Sequence, residues 1–160
     1  MTDDTTVPES PATGGGEPTV NCLTQYVKDL SFENPNAVRS ATEEGGAPDV
    51  TMNVQISVAQ LRANMYEVTL SVDGKAVRGD KHLFMVEMAY AGLFTIENIP
   101  TEHIEPVLYV HCATLLFPFA RQIIADITRN GGYPPLLLNA VDFNQLYHEQ
   151  MAARQNSGTA

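Results

Sequence analysis

Apolar and polar residues alternate along several segments in the first two thirds of the chain. Over 50–58, five apolar residues alternate with four polar ones, which is the pattern of a half-buried strand: Val50, Met52, Val54, Ile56 and Val58 against Thr51, Asn53, Gln55 and Ser57. Val68, Leu70 and Val72 repeat the alternation. Arg78-Gly79-Asp80 then predicts a hairpin turn. These segments indicate antiparallel strands joined by short connections.

An earlier strand is predicted over 21–33, followed by a Gly- and Glu-containing loop over 36–48. Alternation places two sets of side chains on opposite faces: Val27, Asp29, Ser31 and Glu33 on one, Tyr26, Lys28, Leu30 and Phe32 on the other. Asn34-Pro35-Asn36 ends the strand, because proline cannot donate to a ladder. Asp29 and Glu33 thus form a polar surface beside an apolar one.

The segment 82–90 is apolar on both faces. Phe84, Val86, Met88 and Tyr90 share one face, while Leu83, Met85 and Ala89 share the other, where Glu87 interrupts them. Burial on both faces explains this pattern, and so does an exposed apolar patch used for binding.

Helices are predicted after the strands. Over 106–125 the only charged residue is Arg121, and apolar residues surround the helix. A small sheet covers one side of such a helix, so the other side is expected to meet another copy of the chain. Pro118 predicts a kink near Thr114.

A second helix is predicted to begin at Asp142, with Gln145 as its capping partner. Strands followed by helices indicate an α+β fold with an antiparallel sheet.

Composition restricts the classes of partner. The chain of 160 residues has 19 acidic and 9 basic residues, a net charge of −10, and 16 of the acids lie at or before Glu105. This balance disfavours nucleic acids and anionic membranes as partners. The N-terminus lacks the apolar core of a secretory signal, no apolar run is expected to span a membrane, and Cys22 and Cys112 form no disulfide framework. We expect a cytoplasmic protein with a disordered tail over 1–20, one domain over 21–153 and a flexible tail over 154–160.

Catalytic chemistry has weak support in the sequence. The four histidines show no ligand spacing, and Cys112 lies in an apolar helix, so neither a metal site nor a nucleophile is expected. Asp29, Glu33 and Glu87 could act as acids or bases if a pocket raised a pKa. A solvated surface is the simpler interpretation. No cofactor is expected.

Seven segments, in order, closely resemble the SecB family of protein-export chaperones. They are 26–36 (YVKDLSFENPN), 65–68 (MYEV), 84–87 (FMVE), 91–94 (AGLF), 116–121 (LFPFAR), 132–136 (GYPPL) and 142–143 (DF). The resemblance covers about 21–150 and implies a four-stranded antiparallel sheet followed by a long and a short helix, assembled as a dimer of dimers.

The resemblance also implies sites. The family's contact surface for the SecA motor falls on Asp29, Glu33, Met85 and Glu87. Positions that tune tetramer assembly match Val86, Met88 and Tyr90, and the client groove would involve Val50, Met52, Val54 and Tyr147. One departure is that the loop after Asn36 lacks the aromatic residues that often line the groove.

The resemblance therefore implies an ATP-independent, non-enzymatic holding chaperone that keeps unfolded precursors export-competent and delivers them to SecA. One alternative is a SecB-like chaperone dedicated to one partner, such as an antitoxin of a toxin–antitoxin pair. A remoter alternative is a small oligomeric α+β enzyme using Glu87 or Asp29 as its base.

Overall fold

A single four-stranded antiparallel sheet organises the chain. The computed structural model describes residues 15–158, so most of the predicted N-terminal tail lies outside the described residues. The strands are β1 Thr19–Glu33, β2 Asp49–Arg62, β3 Met65–Arg78 and β4 Lys81–Glu97, and their order is β1-β4-β3-β2. The predicted α+β class and antiparallel sheet are confirmed, with β1 and β2 at the two edges.

The strand connections follow from local sequence. Arg78 pairs with Lys81, and Gly79 takes a left-handed φ of 60°, which glycine adopts without steric cost. The predicted turn at 78–80 is confirmed. The first strand, β1, begins two residues before its predicted start, because Thr19 and Val20 pair with Glu97 and Ile96 of β4.

Two β-bulges interrupt β1 and change which residues share a face. Register shifts occur between Cys22 and Thr24 and between Val27 and Asp29. Each bulge adds one residue, so the alternation inverts across it. Tyr26 therefore lies on the face of Asp29 and Glu33, and the predicted placement of Val27 on that face is wrong.

Tyr26 and Lys28 tie β1 to β3 across β4. Lys28 Nζ lies 2.8 Å from Glu67 Oε1, and the Tyr26 hydroxyl donates to Glu67 Oε2. The hydrogen bonds from Lys28 and Tyr26 hold the pKa of Glu67 below its ordinary value, and the hydrogen bond to Glu67 raises the pKa of Tyr26 to about 12. Fully buried Ala91 opposes Tyr26 in the strand between them, and its small side chain leaves room for this bridge.

The helices follow the sheet, apart from a short helix in the first loop. They are α1 Ala37–Thr42, α2 Thr101–Pro106, a π-helical segment Val107–Cys112, α3 Ala113–Asn130 and α4 Phe143–Ser157. The middle three run on as one long helix, Thr101–Asn130. Its irregularity lies at the π-helical segment directly after Pro106, N-terminal to the kink predicted near Thr114.

The core lies between the long helix and one face of the sheet, here called the inner face. Val86, Met88 and Tyr90 from β4 pack there with fully buried Leu116 and Ile124 from α3. On the outer face, Met85 and Ala89 are half-buried and Glu87 is exposed. The segment is therefore buried on its inner face and partly exposed on its outer face, so neither interpretation holds in full.

The long helix passes the length and composition test for a membrane span. The helix has 30 residues, and 39% of its apolar stretch is buried within the chain. By this test the expectation that no apolar run reaches membrane-spanning length is wrong. A core helix of a globular protein meets the same test, so this is weak support for a span.

The last helix has one half of the expected capping box and is longer than expected. Asp142 Oδ1 accepts a hydrogen bond from the Gln145 backbone N–H at 3.1 Å, while the Gln145 side chain bonds to Glu149. The helix extends through Ser157 into the segment predicted to be loose. Arg154 anchors this end, because its guanidinium donates to the Tyr109 hydroxyl at 2.9 Å and lies over the Tyr109 ring.

Candidate functional site

An apolar groove runs along the edge strand β2. Val50, Met52 and Val54 are on the inner face of β2, with Val50 41% exposed. They face the segment 136–141 across a cavity of 390 Å³. Three of the four predicted groove residues are thus brought together by their alternation along one strand.

The groove lies beside backbone groups on an open strand edge. Gln150 in α4 accepts from the Ile56 N–H and donates to the Ile56 carbonyl, both at 3.1 Å. Residues two apart on an antiparallel strand direct these groups to the same side, so those of Val50, Met52 and Val54 also point to the edge. Within residues 15–158 they make no hydrogen bond outside the sheet.

The opposite wall of the groove is held by the long helix. The Leu136 N–H donates to Thr128 Oγ1 at 2.9 Å, and Arg121 Nε donates to the Leu138 carbonyl at 2.8 Å. Thr128 is itself fully buried. The wall is extended, because Pro134 and Pro135 precede it, and these two contacts fix its distance from β2.

A second cavity of 460 Å³ continues the groove beyond Val50 and Leu136, which line both. Phe84 and Tyr133 form an aromatic side with ring centroids 4.9 Å apart. The Tyr133 hydroxyl is held by the Leu83 carbonyl at 3.0 Å and by the Asn34 side chain at 2.7 Å. The loop residues 45–48 and Arg78 complete the lining, so the aromatic-free loop borders this cavity with glycine, alanine and proline.

Tyr147, the fourth predicted groove residue, lies elsewhere. Its ring packs 5.5 Å from that of Tyr109, and its hydroxyl donates to Glu105 Oε1 at 3.2 Å. Burial, followed by the nearby Glu105 carboxylate, raises the pKa of Tyr147. It lines neither groove cavity.

The predicted partner-binding residues share the outer face. Glu33 opposes Met85, Ser31 opposes Glu87, and Asp29 opposes Ala89 in the register of β1 and β4. The three acids are exposed and Met85 is half-buried. The result is an acidic surface in which Glu33 and Glu87 flank Met85 and Asp29 lies further along β1. It is open to solvent and without the enclosure that a catalytic acid–base pair needs.

Beside Met85 and Glu87, the outer face carries one further acid and one base from β3. Asp73 in β3 opposes Glu87, and Lys75 opposes Met85. With these neighbours, Met85 and Glu87 line an open depression of 320 Å³. The alternation of β3 already places Asp73 on the polar face, and only the strand order brings it next to Glu87.

The predicted assembly residues lie under the helix. Val86 is fully buried, and Met88 and Tyr90 are 3% and 7% exposed. Tyr90 stacks at 6.5 Å on Phe119 of α3, which is itself 52% exposed. These residues can therefore affect assembly only by changing the position of the helix.

Metal and thiol chemistry find no support in the described part of the chain. Residues 15–158 contain no group of three or more side chains able to hold a metal ion. Burial raises the pKa of the Cys112 thiol to about 12, which makes it a poor nucleophile.

Fold and site together define an α+β protein whose apolar groove adjoins an open strand edge, an arrangement suited to extended peptides. Residues 14–154 match the family described as Preprotein translocase subunit SecB. The chain is 48% identical over 152 residues to the Protein-export protein SecB of Afipia carboxidovorans, covering 95% of this chain and 92% of that protein. It is 46% identical to the Protein-export protein SecB of Agrobacterium fabrum, covering 92% of each. The chain belongs to the SecB family.

A solved structure shares the fold. The Mycobacterium tuberculosis Rv1957 SecB-like chaperone, in complex with a ChAD peptide from the Rv1956 HigA1 antitoxin, aligns with a TM-score of 0.64 at 13% identity. The alignment covers 76% of this chain and 90% of that one. At this identity the similarity concerns the fold alone.

Proposed function

We propose that this chain is a holding chaperone for protein export, which binds unfolded precursors in extended form and keeps them competent for translocation. Its family membership and the export names of its relatives support the proposal. The observation that carries it is the groove along β2, where Val50, Met52 and Val54 offer apolar side chains beside an open backbone edge. Both features can bind an extended polypeptide without requiring one particular sequence.

A pair of neighbouring substitutions tests the groove. Met52→Glu places a carboxylate on the groove side of β2, while Asn53→Glu places the same charge on the outer face. On dilution of a denatured precursor, Met52→Glu should lose the ability to prevent aggregation, and Asn53→Glu should retain it. Equal holding activity in both variants would contradict the groove assignment.

The outer acidic face is proposed as the docking surface for the SecA motor. Glu33 and Glu87 flank Met85, and Asp29 lies further along β1 opposite Ala89, so a basic partner could pair with the acids while covering the apolar side chain. Glu87→Lys should weaken the SecA interaction and leave precursor holding unchanged. Asp80→Lys, the same charge change at an exposed turn, is the control. Unchanged SecA binding on reversing all three acids would contradict the assignment.

A homotetramer, arranged as a dimer of dimers, is proposed as the active assembly. Leu115 and Phe119 on the long helix are 42% and 52% exposed, and Val27 and Leu30 at the edge strand β1 are 43% and 39% exposed. Another subunit would remove this apolar area from water. Phe119→Glu should lower the molar mass in light scattering, whereas Ser57→Glu, exposed on the outer face of β2, should not.

The proposal includes a cytoplasmic location, no catalytic activity and no cofactor, with the chaperone domain predicted over 21–153. The compared relatives carry export names, so no observation favours a chaperone dedicated to one partner. Competition between two unrelated unfolded precursors tests this point. Each precursor should displace the other if the chain is a general chaperone. Binding of neither precursor would indicate a dedicated one.

A further inference from the structure

Lys75 lies inside the acidic surface of the outer face. Among the described residues 15–158, it is the only basic side chain that lines the 320 Å³ depression. The register places it opposite Met85, and Asp73, two residues earlier on the same face, lies opposite Glu87. Two uncharged polar residues of β2 complete these rows: Thr51 and Asn53. The depression therefore has two neighbouring rows, one with a base beside an apolar side chain and one with two acids.

The charged side chains of the depression have no ionic partner in the described part of the chain. Asp73, Lys75 and Glu87 are exposed, and none of them belongs to the four ion pairs within residues 15–158. Asp73 and Glu87 carry like charges directly opposite each other, which is an unfavourable cross-strand pair. Lys75 relieves this repulsion only in part, because it makes no ion pair with either carboxylate. A cation bound between the two carboxylates would therefore be stabilised by both of them.

The row through Met85 has opposite charges on its two sides. Glu33 in β1 opposes Met85 from one side, and Lys75 in β3 opposes it from the other. A partner that covers Met85 thus meets a carboxylate toward β1 and an ammonium group toward β3. Because like charges brought together across an interface weaken a complex, this arrangement favours one direction of a charged segment over the reverse. Attraction by net charge alone has no such direction.

We propose that Lys75 and Asp73 determine which SecA segment the outer face accepts. The segment carries a basic side chain that binds between Asp73 and Glu87, an apolar side chain on Met85, and a carboxylate that accepts a hydrogen bond from Lys75 Nζ. A uniformly basic segment would place a like charge against Lys75, which selects against it. The inference rests on the proposed docking of SecA on this face, because it names the charge pattern of the docking segment.

Neutralising Lys75 separates specific recognition from attraction by net charge. Lys75→Gln makes the surface more acidic, so a general attraction for a basic partner would tighten SecA binding. We expect the opposite, a Kd for SecA about tenfold higher in isothermal titration calorimetry, together with a lower Kd for a labelled polylysine peptide. Arg62→Gln, the same charge change at the far end of β2, should leave both affinities unchanged because salt screens charges at that separation.

Asp73→Asn tests the acidic half of the pattern. It should raise the SecA Kd about fivefold, whereas Asp80→Asn at the exposed turn should not change it. Retained precursor holding in each variant is the folding control. Unchanged or tighter SecA binding by Lys75→Gln, or unchanged binding by Asp73→Asn, would overturn this inference and leave the proposed docking surface standing. An unsubstituted chain that does not bind SecA would overturn both.

Discussion

Thr128 is predicted to fix the position of the groove wall at Leu136, although it lies behind that wall. Its hydroxyl accepts the Leu136 N–H at 2.9 Å and donates to the Ile124 carbonyl at 2.9 Å. Thr128→Val keeps the shape of the buried side chain and opens no cavity, so its effect is chiefly the loss of these hydrogen bonds. The Ile124 carbonyl still has its helical partner, whereas the Leu136 N–H loses the acceptor shown here.

The expected cost of Thr128→Val is about 1–3 kcal/mol, the range for leaving a donor unsatisfied. This is a fraction of the roughly 5–15 kcal/mol that stabilises a typical domain, so the variant should fold. Urea unfolding measures the free-energy loss, and fluorescence anisotropy with an apolar peptide measures affinity. Because Leu136 lines both groove cavities, affinity should fall together with stability.

Thr128→Ser is the matched control. It keeps the hydroxyl and removes one methyl group, at a cost of about 1 kcal/mol. It should therefore lose some stability and keep the peptide affinity. The reasoning is refuted if Thr128→Val retains both properties, or if Thr128→Ser loses as much affinity as Thr128→Val.

Three further predictions concern packing, charge and capping. Gly92→Val would place a Cβ 2.8 Å from Leu116 Cδ2, and this overpacking should cost about 1–3 kcal/mol in urea unfolding. Glu67→Gln should destabilise the chain at neutral pH. Because the folded-state pKa of Glu67 is lowered, the carboxylate contributes stability above the ordinary carboxyl pKa. The unfolding curves of the unsubstituted chain and the variant should therefore converge as pH falls through the folded-state pKa. Asp142→Ala removes the acceptor for the Gln145 N–H and should cost about 1 kcal/mol, read as a lower Tm, whereas Asp142→Asn should be nearly neutral.

The strands of the sheet could be predicted because they depend on local alternation. The departures from this alternation, the β-bulges, depend on pairing between strands and could not. The strand over 50–58 and the turn at Gly79 are visible in the sequence and confirmed. The bulge between Val27 and Asp29 has no local signal, because any residue can be the extra one. Because of this bulge, Val27 lies on the face opposite to the predicted one, whereas Asp29 lies on the predicted face.

The groove could be predicted only where one strand supplies it. Val50, Met52 and Val54 share a face by alternation, whereas the position of Tyr147 depends on how α4 packs on Tyr109. The opposite wall was missed, although the apolar run 136–138 directly after Pro135 was a signal for it. Nothing in the sequence pairs distant residues such as Gln150 and Ile56.

Size-exclusion chromatography with light scattering, with and without a denatured, slow-folding precursor added by dilution, tests the central claim most directly. We predict a homotetramer that co-elutes with the precursor and holds it soluble without ATP. A tetramer that leaves the precursor to aggregate, or a monomer that ignores it, would contradict the account.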